Sequence, residues 1–320
     1  MAEIPFDINR IFHSKITNFD ELAQLAYNFQ CQENIIFSNF IKLAQAPSAQ
    51  TFLPVDFFKS HQVICKGFPT EIIFTSTGTS GQKPSAHHVS SVAIYEKSFM
   101  NAFRHFYGNP SEYCFLALLP SYMERKGSSL IYMTQKLMEQ SGHPLSGFYL
   151  NDFDSLSDTL LKLKNERVIL LGVTFALLDF ASAYKLEMPE LIVMETGGMK
   201  GRREELTRAE VHSVLKNAFG VQHIHSEYGM TELLSQAYAK RDGRFHCPPW
   251  MKVMITDIND PFSKLPEGKT GVINIIDLAN FYSCSFIQTA DLGRLFPDGS
   301  FEVLGRLDNS DMRGCSLMYL

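Results

Sequence analysis

The chain has 320 residues, 45% of them hydrophobic and 20% charged, a balance typical of a globular protein with a large core. Its 29 basic and 34 acidic side chains give a net charge of −5 without a basic stripe, which argues against nucleic acid as the main partner. The six cysteines form no Cys-x-x-Cys pair, which favours reduced thiols in a cytoplasmic protein over a disulfide framework or a zinc site.

The N-terminal part of the chain is predicted to be helical. Its first residues show no basic segment followed by an apolar one, so we expect no signal peptide. From Ile8 to about Gln45 apolar residues recur at helical spacing, and Ala46-Pro47-Ser48 ends this pattern. Residues 52–59 then indicate an extended segment that leads into a helix start.

A loop rich in hydroxyl groups follows a short apolar run, Glu71–Phe74, which predicts a buried strand end. The loop, Phe74–Ser85, contains two glycines, a lysine and several serines and threonines, and the residues from His88 to about Phe106 suit a helix. Glycine lets backbone N–H groups turn towards an anion, and hydroxyl and ammonium groups add donors, so the loop is suited to hold a polyphosphate. The spacing does not fit a Walker A loop, and an ordinary polar loop has the same composition.

Strands and helices alternate through the middle of the chain, which predicts a layered α/β domain with a largely parallel sheet. Because such sheets bind ligands at the carboxyl ends of their strands, the loops after Phe74, Met194 and His225 are expected to share one site. The apolar run Val168–Leu186 contains charged residues and divides into a strand and a helix, so we expect no membrane span. The sequence predicts strands at 112–119, 168–171, 191–194 and 221–225 and helices at 128–141, 152–165, 175–184 and 207–219.

From Trp250 onward, short alternating strands separated by turn residues predict a small β-rich subdomain. We therefore expect two domains. Residues 1–249 would form an α/β core with an N-terminal helical segment, and residues 250–320 the β-rich subdomain with a terminal cysteine. The predicted strands of this subdomain are 252–256, 272–277, 284–287 and 301–304.

Four short motifs lie between Glu71 and the C-terminus: Ser76–Lys83 (Ser-Thr-Gly-Thr-Ser-Gly-Gln-Lys), Tyr228–Glu232 (Tyr-Gly-Met-Thr-Glu), Thr289–Gly293 (Thr-Ala-Asp-Leu-Gly), and Gly305–Asp308 (Gly-Arg-Leu-Asp) followed by Arg313-Gly314. In this order they resemble the motifs of the adenylate-forming (ANL) superfamily. The second fits the family pattern without a mismatch, whereas Ala290 stands where the third usually has a glycine. The resemblance implies the layered α/β N-terminal domain of that superfamily with a small β-rich subdomain, and with the C-terminal domain essentially absent.

The same resemblance implies roles in binding ATP and Mg²⁺. Lys83 and the loop before it would hold the β- and γ-phosphates, and Glu232 would act in catalysis by holding Mg²⁺, a hard cation that favours oxygen ligands. Asp291 would accept the ribose hydroxyls, and Arg306 would reach the ribose or a phosphate. The other implied nucleotide contacts are the phosphate loop residues Ser76, Thr77, Gly78, Thr79, Ser80 and Gly81, close backbone at Gly197 and Gly198, Tyr228 stacked on adenine with Gly229 beside it, and Thr231 at the α-phosphate.

The subgroup most similar to the chain is that of the LuxE-type acyl-protein synthetases, which are long-chain-fatty-acid–protein ligases. Two features point to it: the chain stops just after the fourth motif, and Cys315 lies close to the end. The resemblance implies that a fatty acid or other carboxylate is converted to acyl-AMP and transferred to Cys315 as a thioester. The acyl group would then pass to a partner such as an acyl reductase or an acyl-carrier protein.

Two other functions fit the same residues. In an acyl- or aryl-CoA ligase resembling phenylacetate-CoA ligase, coenzyme A would accept the acyl group and Cys315 would be an ordinary thiol. In a nucleotide-binding scaffold, catalysis would have been lost with the C-terminal domain, whose lysine assists adenylation in larger members. The pairs His87-His88 and His223-x-His225 lack a third ligand at a suitable spacing, so we expect loop or core histidines.

Overall fold

The computed structural model describes residues 4–12, 18–45, 51–76, 83–120, 127–197 and 206–307. They form a mixed α/β fold, which confirms the predicted fold class. Among the described residues, no helix is both long enough and apolar enough to cross a lipid bilayer. The helices are α1 (Phe19–Glu33), α2 (Ile35–Leu43), α3 (Phe57–Ser60), α4 (Val92–Tyr107), α5 (Ser129–Ser141), α6 (Phe153–Lys162), α7 (Thr174–Ala183) and α8 (Arg208–Phe219), with 3-10 turns at Ile8–Phe12, Pro110–Glu112 and Leu278–Asn280. The strands are β1 (Leu53–Pro54), β2 (Ile72–Thr75), β3 (Ala86–Val89), β4 (Cys114–Leu118), β5 (Gly147–Phe148), β6 (Val168–Val173), β7 (Ile192–Thr196), β8 (His225–Tyr228), β9 (Ala237–Ala239), β10 (Phe245–His246), β11 (Met251–Thr256), β12 (Thr270–Asp277), β13 (Phe286–Leu295) and β14 (Phe301–Arg306).

The chain divides into two compact units. Unit 1 consists of the described residues of Met1–Ser98, Thr231–Ser235 and His246–Leu320. Unit 2 consists of those of Phe99–Met230 and Gln236–Phe245. The expected division into domains at 1–249 and 250–320 stays a prediction.

Unit 2 is built on a sheet with the strand order β5-β4-β6-β7-β8-β9, in which only the pair β8–β9 is antiparallel. This confirms the predicted, largely parallel sheet. Strands β4 and β6 are buried along their whole length, as central strands of parallel sheets are. Helix α7 follows β6 directly, and a Cβ at Gly172 would lie 2.8 Å from the Leu177 side chain, so a larger residue would force the helix away from the strand.

Strand β8 lies further along the chain than the sequence predicts. A strand is expected at 221–225, but β8 begins at His225 and ends at Tyr228. Two polar residues of β8, Ser226 and Glu227, pair in register with polar residues of β7 and hydrogen bond to them. Because buried partners satisfy these side chains, the strand continues after the apolar pattern has ended.

Unit 1 contains an antiparallel sheet with the strand order β11-β12-β13-β14, and β1 pairs with β13 in parallel. These are the strands expected after Trp250, but β13 runs eight residues beyond the predicted end at 287. The apolar run ends at Ile287, and beyond it the buried Thr289 hydroxyl is satisfied by donating to Ile273 O at 2.8 Å. The third sequence motif therefore lies within a strand.

A separate two-stranded hairpin, β2–β3, carries the loop that is predicted to bind phosphate. The expectation that this loop follows a strand of the parallel sheet is wrong, because β2 pairs antiparallel with β3 alone. Only Phe74 of β2 is buried, so the strand lacks the two buried faces of a central parallel strand. His88 belongs to β3, and α4 therefore begins at Val92 and not at the predicted position.

Buried amide side chains join the end of α1 to the segment between β12 and β13. Gln30 Nε2 donates to Phe281 O at 2.8 Å, and Gln30 Oε1 accepts from Ser285 N at 2.9 Å. Asn34, which separates α1 from α2, donates to Ser283 O at 2.8 Å. The single helical region predicted by periodicity is therefore interrupted at Asn34, where the side chain serves both the next helix and this segment.

Two glycines face each other across β12 and β13. Gly271 and Gly293 are partners in the register of the sheet. A Cβ on Gly271 would lie 2.2 Å from Thr256 O, and a Cβ on Gly293 would lie 2.6 Å from Glu302 O. Both oxygens belong to the backbone of neighbouring strands, so they cannot move without breaking the sheet.

We expect Gly271→Ala to lower the free energy of unfolding by about 2 kcal/mol or more, because the methyl group overlaps Thr256 O. Gly147→Ala is the matched control: a Cβ there meets no atom within 4 Å, so its effect should stay within about 0.5 kcal/mol. Urea unfolding measures both changes. Equal midpoints for the two variants would contradict the prediction.

Glu227 in β8 is a buried carboxyl group with 6% of its surface exposed. Burial raises its pKa to about 7, although the Thr196 hydroxyl donates a hydrogen bond to it. Between its ordinary value of 4.5 and about 7 the folded protein therefore binds more protons at this site than the unfolded chain. The resulting stability is complete below pH 4.5 and is lost as the pH rises through about 7.

We expect Glu227→Gln to flatten the dependence of the unfolding free energy on pH, because glutamine still accepts from Thr196 but has no proton to lose. From about pH 5 to about pH 8, the wild-type free energy should fall by about 3 kcal/mol more than that of the variant. Urea unfolding at several pH values measures the difference. Parallel curves would show that Glu227 does not titrate in this range.

Candidate functional site

The hairpin β2–β3 holds both ends of the loop that is predicted to bind phosphate. Ser76 N donates to Ser85 O at 3.0 Å, and Ser85 N donates to the Ser76 hydroxyl at 2.9 Å. The exposed Lys83 lies two residues before Ser85, where the chain leaves the loop and enters β3. This pairing fixes where the loop leaves and rejoins the hairpin. The other predicted residues of the loop, Thr77, Gly78, Thr79, Ser80 and Gly81, lie outside the described residues.

Glu232, the predicted Mg²⁺ ligand, is buried against the same hairpin. It is 5% exposed, and the Ser85 side chain lies near its carboxylate. Burial raises its pKa, and the nearby Ser85 side chain and the charges of Arg306 and Lys59 offset this only in part. A buried carboxylate is suited to hold a cation.

The single carboxylate of Glu232 fits the way in which proteins usually hold Mg²⁺. In the described part of the chain, no group of three or more His, Cys, Asp and Glu side chains could hold a metal ion. Mg²⁺ is usually bound by one or two carboxylates together with water and phosphate oxygens. One buried carboxylate beside a loop with phosphate-binding composition therefore fits this ion.

His87 of β3 holds the backbone of Thr231. Its Nδ1 lies 2.9 Å from Thr231 O, and its Nε2 lies 2.9 Å from Ser283 Oγ. Because a carbonyl oxygen can only accept, Nδ1 carries the proton and Nε2 accepts from the Ser283 hydroxyl. The ring is fully buried, which lowers its pKa to about 4 and keeps it neutral. His87 is the core histidine that the sequence predicts.

The residues that follow Thr231 are held in the same way. Asn280 Nδ2 donates to Glu232 O at 2.8 Å. The Asp277 carboxylate accepts hydrogen bonds from the backbone N–H groups of residues 234 and 235, each at 2.9 Å. Two successive carbonyl groups and two successive N–H groups are therefore bound by buried side chains, and this sets the path of the backbone on both sides of Glu232.

Asp291 and Arg306, both predicted to contact the nucleotide, are cross-strand partners in β13 and β14. Arg306 Nε lies 3.7 Å from Asp291 Oδ1, and the arginine side chain is 78% exposed while that of the aspartate is 14% exposed. An exposed guanidinium is suited to a phosphate, and a carboxylate is suited to accept hydroxyl groups. The structure brings these two residues together, and their roles stay predictions.

In unit 2, the buried carboxylate of Glu195 joins β7, β8 and α8. It accepts hydrogen bonds from Arg208 Nη1 at 2.8 Å, from the Ser226 hydroxyl at 3.0 Å and from His212 Nε2 at 3.3 Å. Burial raises the pKa of Glu195, but the His212 hydrogen bond and the Arg208 charge outweigh it and hold the pKa below its usual value. Glu195 is therefore ionised at neutral pH.

Thr174 extends this network to Gly197, which is predicted to lie beside the nucleotide. The Thr174 hydroxyl shares its single proton between Glu195 Oε2, at 2.9 Å, and Gly197 O, at 2.7 Å. Gly197 has a φ of 71°, in the left-handed region that favours glycine. The turn after β7 is thereby fixed at its first residue. Gly198 lies outside the described residues.

Tyr228 and Gly229 lie at the end of β8 in unit 2. Tyr228 is 9% exposed, and its ring meets Phe245 edge to face with 5.8 Å between the ring centroids. A Cβ on Gly229 would lie 2.5 Å from Glu227 Oε1, so only glycine fits while Glu227 keeps its position. The stacking of Tyr228 on adenine stays a prediction.

None of the described cysteines has the properties of a reactive thiol. Burial raises the pKa of Cys114 to about 11 and that of Cys284 to about 12. Burial raises the pKa of the other described cysteines as well. The thiolate is the nucleophile, so these groups react slowly at neutral pH. The described cysteines are Cys31, Cys65, Cys114, Cys247 and Cys284, and Cys315 lies outside the described residues.

Sequence reasoning missed the polar side chains that hold the backbone of the site residues, such as Asp277 and Glu195, and it gave His87 no role beyond that of a loop or core histidine. Periodicity marks apolar faces and cannot show which polar residues are buried. In the structure, His87 lies opposite Phe74 in the register of β2 and β3 and so belongs to the buried face of the hairpin.

Comparisons with known proteins identify the fold. Neither a protein-family model nor a curated protein matches the chain. The structure of ATP-bound MatB from Rhodopseudomonas palustris resembles it with a TM-score of 0.57 at 17% identity, over 76% of this chain and 49% of that one. The chain therefore spans about half the length of MatB.

Two other structures show the same likeness. A 2-hydroxyisobutyryl-CoA ligase in complex with 2-HIB-AMP and CoA has a TM-score of 0.62 at 12% identity, over 91% of this chain and 69% of that one. The luciferase-like enzyme of the nonluminescent mealworm Zophobas morio has a TM-score of 0.54 at 15% identity, over 76% and 59%. At such identities the likeness shows the fold alone. The chain has the fold of the N-terminal domain of the adenylate-forming enzymes.

Proposed function

We propose that the chain activates a carboxylic acid with ATP, forming an acyl adenylate and pyrophosphate. The observation that carries this proposal is the meeting of two distant motifs in unit 1. The Glu232 carboxylate lies near the Ser85 side chain, and Thr231 O is hydrogen bonded to His87, which lies 144 positions away in the sequence. The base of the predicted phosphate loop and the predicted Mg²⁺ ligand are therefore neighbours. The fold shared with ATP-bound MatB supports the same function.

The chemistry needs the groups that these motifs supply. The substrate carboxylate attacks the α-phosphorus of ATP, and pyrophosphate leaves with the negative charge that develops. Donors and cations that hold this charge lower the barrier. The loop with Lys83 would hold the β- and γ-phosphates, and Asp291 and Arg306 would hold the ribose. A bound Mg²⁺ ion supplies positive charge at the phosphates, and Glu232 would hold it.

We propose further that the acid is a fatty acid and that its acyl group passes to the thiol of Cys315. In this step the sulfur forms a bond to the acyl carbon, the bond from that carbon to the phosphate oxygen breaks, AMP leaves, and the thiol proton goes to solvent. The resemblance to acyl-protein synthetases and the low reactivity of the described cysteines support Cys315 as the acceptor. A partner such as an acyl reductase or an acyl-carrier protein would then take the acyl group.

A second function differs only in the acceptor. The chain shares its fold with a 2-hydroxyisobutyryl-CoA ligase whose structure contains 2-HIB-AMP and CoA. This observation favours coenzyme A as strongly as the sequence motifs favour a protein thiol. The adenylation step is the same in both functions, so the acceptor has to be decided by experiment.

We expect the chain to gain the mass of one acyl group when it is incubated with ATP, Mg²⁺ and a suitable member of a fatty-acid panel. The adduct should be released by hydroxylamine, because a thioester reacts with this nucleophile. Cys315→Ser should abolish the gain, and the matched control Cys31→Ser, which changes a half-buried thiol, should keep it. Intact mass spectrometry and pyrophosphate release, with and without coenzyme A, measure these outcomes.

The other outcomes separate the remaining functions. Pyrophosphate release that requires coenzyme A and leaves no adduct would overturn Cys315 as the acceptor and support the ligase. The absence of pyrophosphate with every acid, together with retained ATP binding, would overturn the enzyme and support a nucleotide-binding scaffold.

A further inference from the structure

The buried imidazole of His87 connects two segments of unit 1 that are far apart in the chain. Through Nδ1 it donates to Thr231 O, and through Nε2 it accepts from the Ser283 hydroxyl. Ser283 Oγ also accepts from Cys284 N at 2.6 Å, so its proton is directed at the ring. Each polar atom of the histidine therefore has one partner, and the ring has one orientation.

The position of Ser283 is itself fixed. Its carbonyl oxygen accepts from the buried Asn34 amide, and Cys284 is followed by Ser285, whose N–H donates to Gln30 Oε1. On the opposite side of the ring, Phe58 contacts the imidazole edge to face with 5.4 Å between the centroids. The histidine is consequently a rigid element, and a rigid donor fixes the group that it bonds.

The group that His87 bonds is the peptide between Thr231 and Glu232. The carbonyl of this peptide accepts from His87, and the next carbonyl accepts from Asn280. Two successive carbonyl groups with fixed partners leave the backbone at Glu232 with one conformation. The Glu232 carboxylate then lies near Ser85 in the second arm of the hairpin.

We infer that His87 is a positioning residue for Thr231 and Glu232, and that the Nδ1 hydrogen bond to Thr231 O sets the place where Glu232 binds a divalent cation. The inference rests on the proposed function and adds to it a residue that acts through the backbone of Thr231. Partners of this kind orient metal ligands, and their loss typically weakens metal affinity or activity by about 10- to 100-fold.

Two substitutions separate the two hydrogen bonds of the ring. In His87→Asn, the amide nitrogen takes the position of Nδ1 and can still donate to Thr231 O. In His87→Gln, the longer amide reaches the position of Nε2 beside Ser283, and the bond to Thr231 O is lost. Both leave space where the ring was, so the loss of packing is similar. His88→Asn, next to His87 on the other face of β3, is the control for general effects on the hairpin.

The measurement is the Mg²⁺ concentration for half-maximal pyrophosphate release, together with kcat and the KM for ATP. We expect His87→Gln to raise the Mg²⁺ requirement by about tenfold or more, and His87→Asn to stay within about threefold of wild type. His88→Asn should not differ from wild type. Equal effects of the two His87 variants would overturn the inference, because a purely structural role does not depend on which hydrogen bond remains.

A second readout does not depend on activity. Hydrogen exchange of the amides of residues 231–235 should be faster in His87→Gln than in His87→Asn, because loss of the bond to Thr231 O lets this segment open. If the wild type releases no pyrophosphate, the proposed function fails while hydrogen exchange still decides the role of His87. If neither His87 variant folds, Ser283→Ala replaces them, and unchanged exchange of residues 231–235 in this milder variant would overturn the inference.

Discussion

The buried carboxylate of Asp277 is the constraint on which the backbone of unit 1 depends. It is fully buried and accepts from two backbone N–H groups in residues 231–235, from the Ser235 hydroxyl at 2.6 Å and from Ala279 N at 3.1 Å. Burial raises its pKa to about 6 despite these bonds. Each oxygen of this carboxylate accepts two of the four bonds, so another path of residues 231–235 would cost hydrogen bonds to a buried carboxylate.

The two units satisfy their buried carboxylates in different ways. Asp277 is bonded to backbone and hydroxyl dipoles, whereas Glu195 in unit 2 is bonded to the charged Arg208. The bonds to Asp277 fix a segment of backbone, because two of the donors are N–H groups of that segment. The bonds to Glu195 join separate elements, because the donors come from α8 and β8 as well as from Thr174 after β6. In both units the candidate site residues are held by neighbours with no part in the proposed chemistry.

The large elements of unit 2 were predictable because their apolar patterns are strong. The run from Val168 onward gives β6 and α7 within two residues of the expected bounds, since both are buried almost throughout. The prediction failed where polar side chains are buried. Strand β8 contains Ser226 and Glu227, and the partners that make a strand of this kind stable are distant in sequence. The hairpin β2–β3 was missed for the opposite reason, because β2 is too exposed to be a core strand.

The candidate site likewise has one part that the sequence predicts and one part that depends on buried polar contacts. Motif order identified residues that the structure brings together, such as Asp291 with Arg306, and Glu232 with the base of the phosphate loop. The residues that fix their geometry have no motif of their own. Asn280 is an amide in a short 3-10 turn, and only its bond to Glu232 O shows why it is buried. Geometry of this kind depends on contacts between segments far apart in the chain, which local pattern does not encode.

The protonated thiols allow the opening of each unit to be followed separately. At pH 8, a thiol with a pKa of about 12, such as Cys284, is ionised to only about one part in ten thousand. An alkylating reagent therefore modifies it almost solely during moments when the surrounding structure is open. Cys114 lies in β4 within the sheet of unit 2, and Cys284 lies just before β13 in unit 1. The alkylation rates of these two positions would time the openings of the two units independently, in one sample and without added labels in the chain.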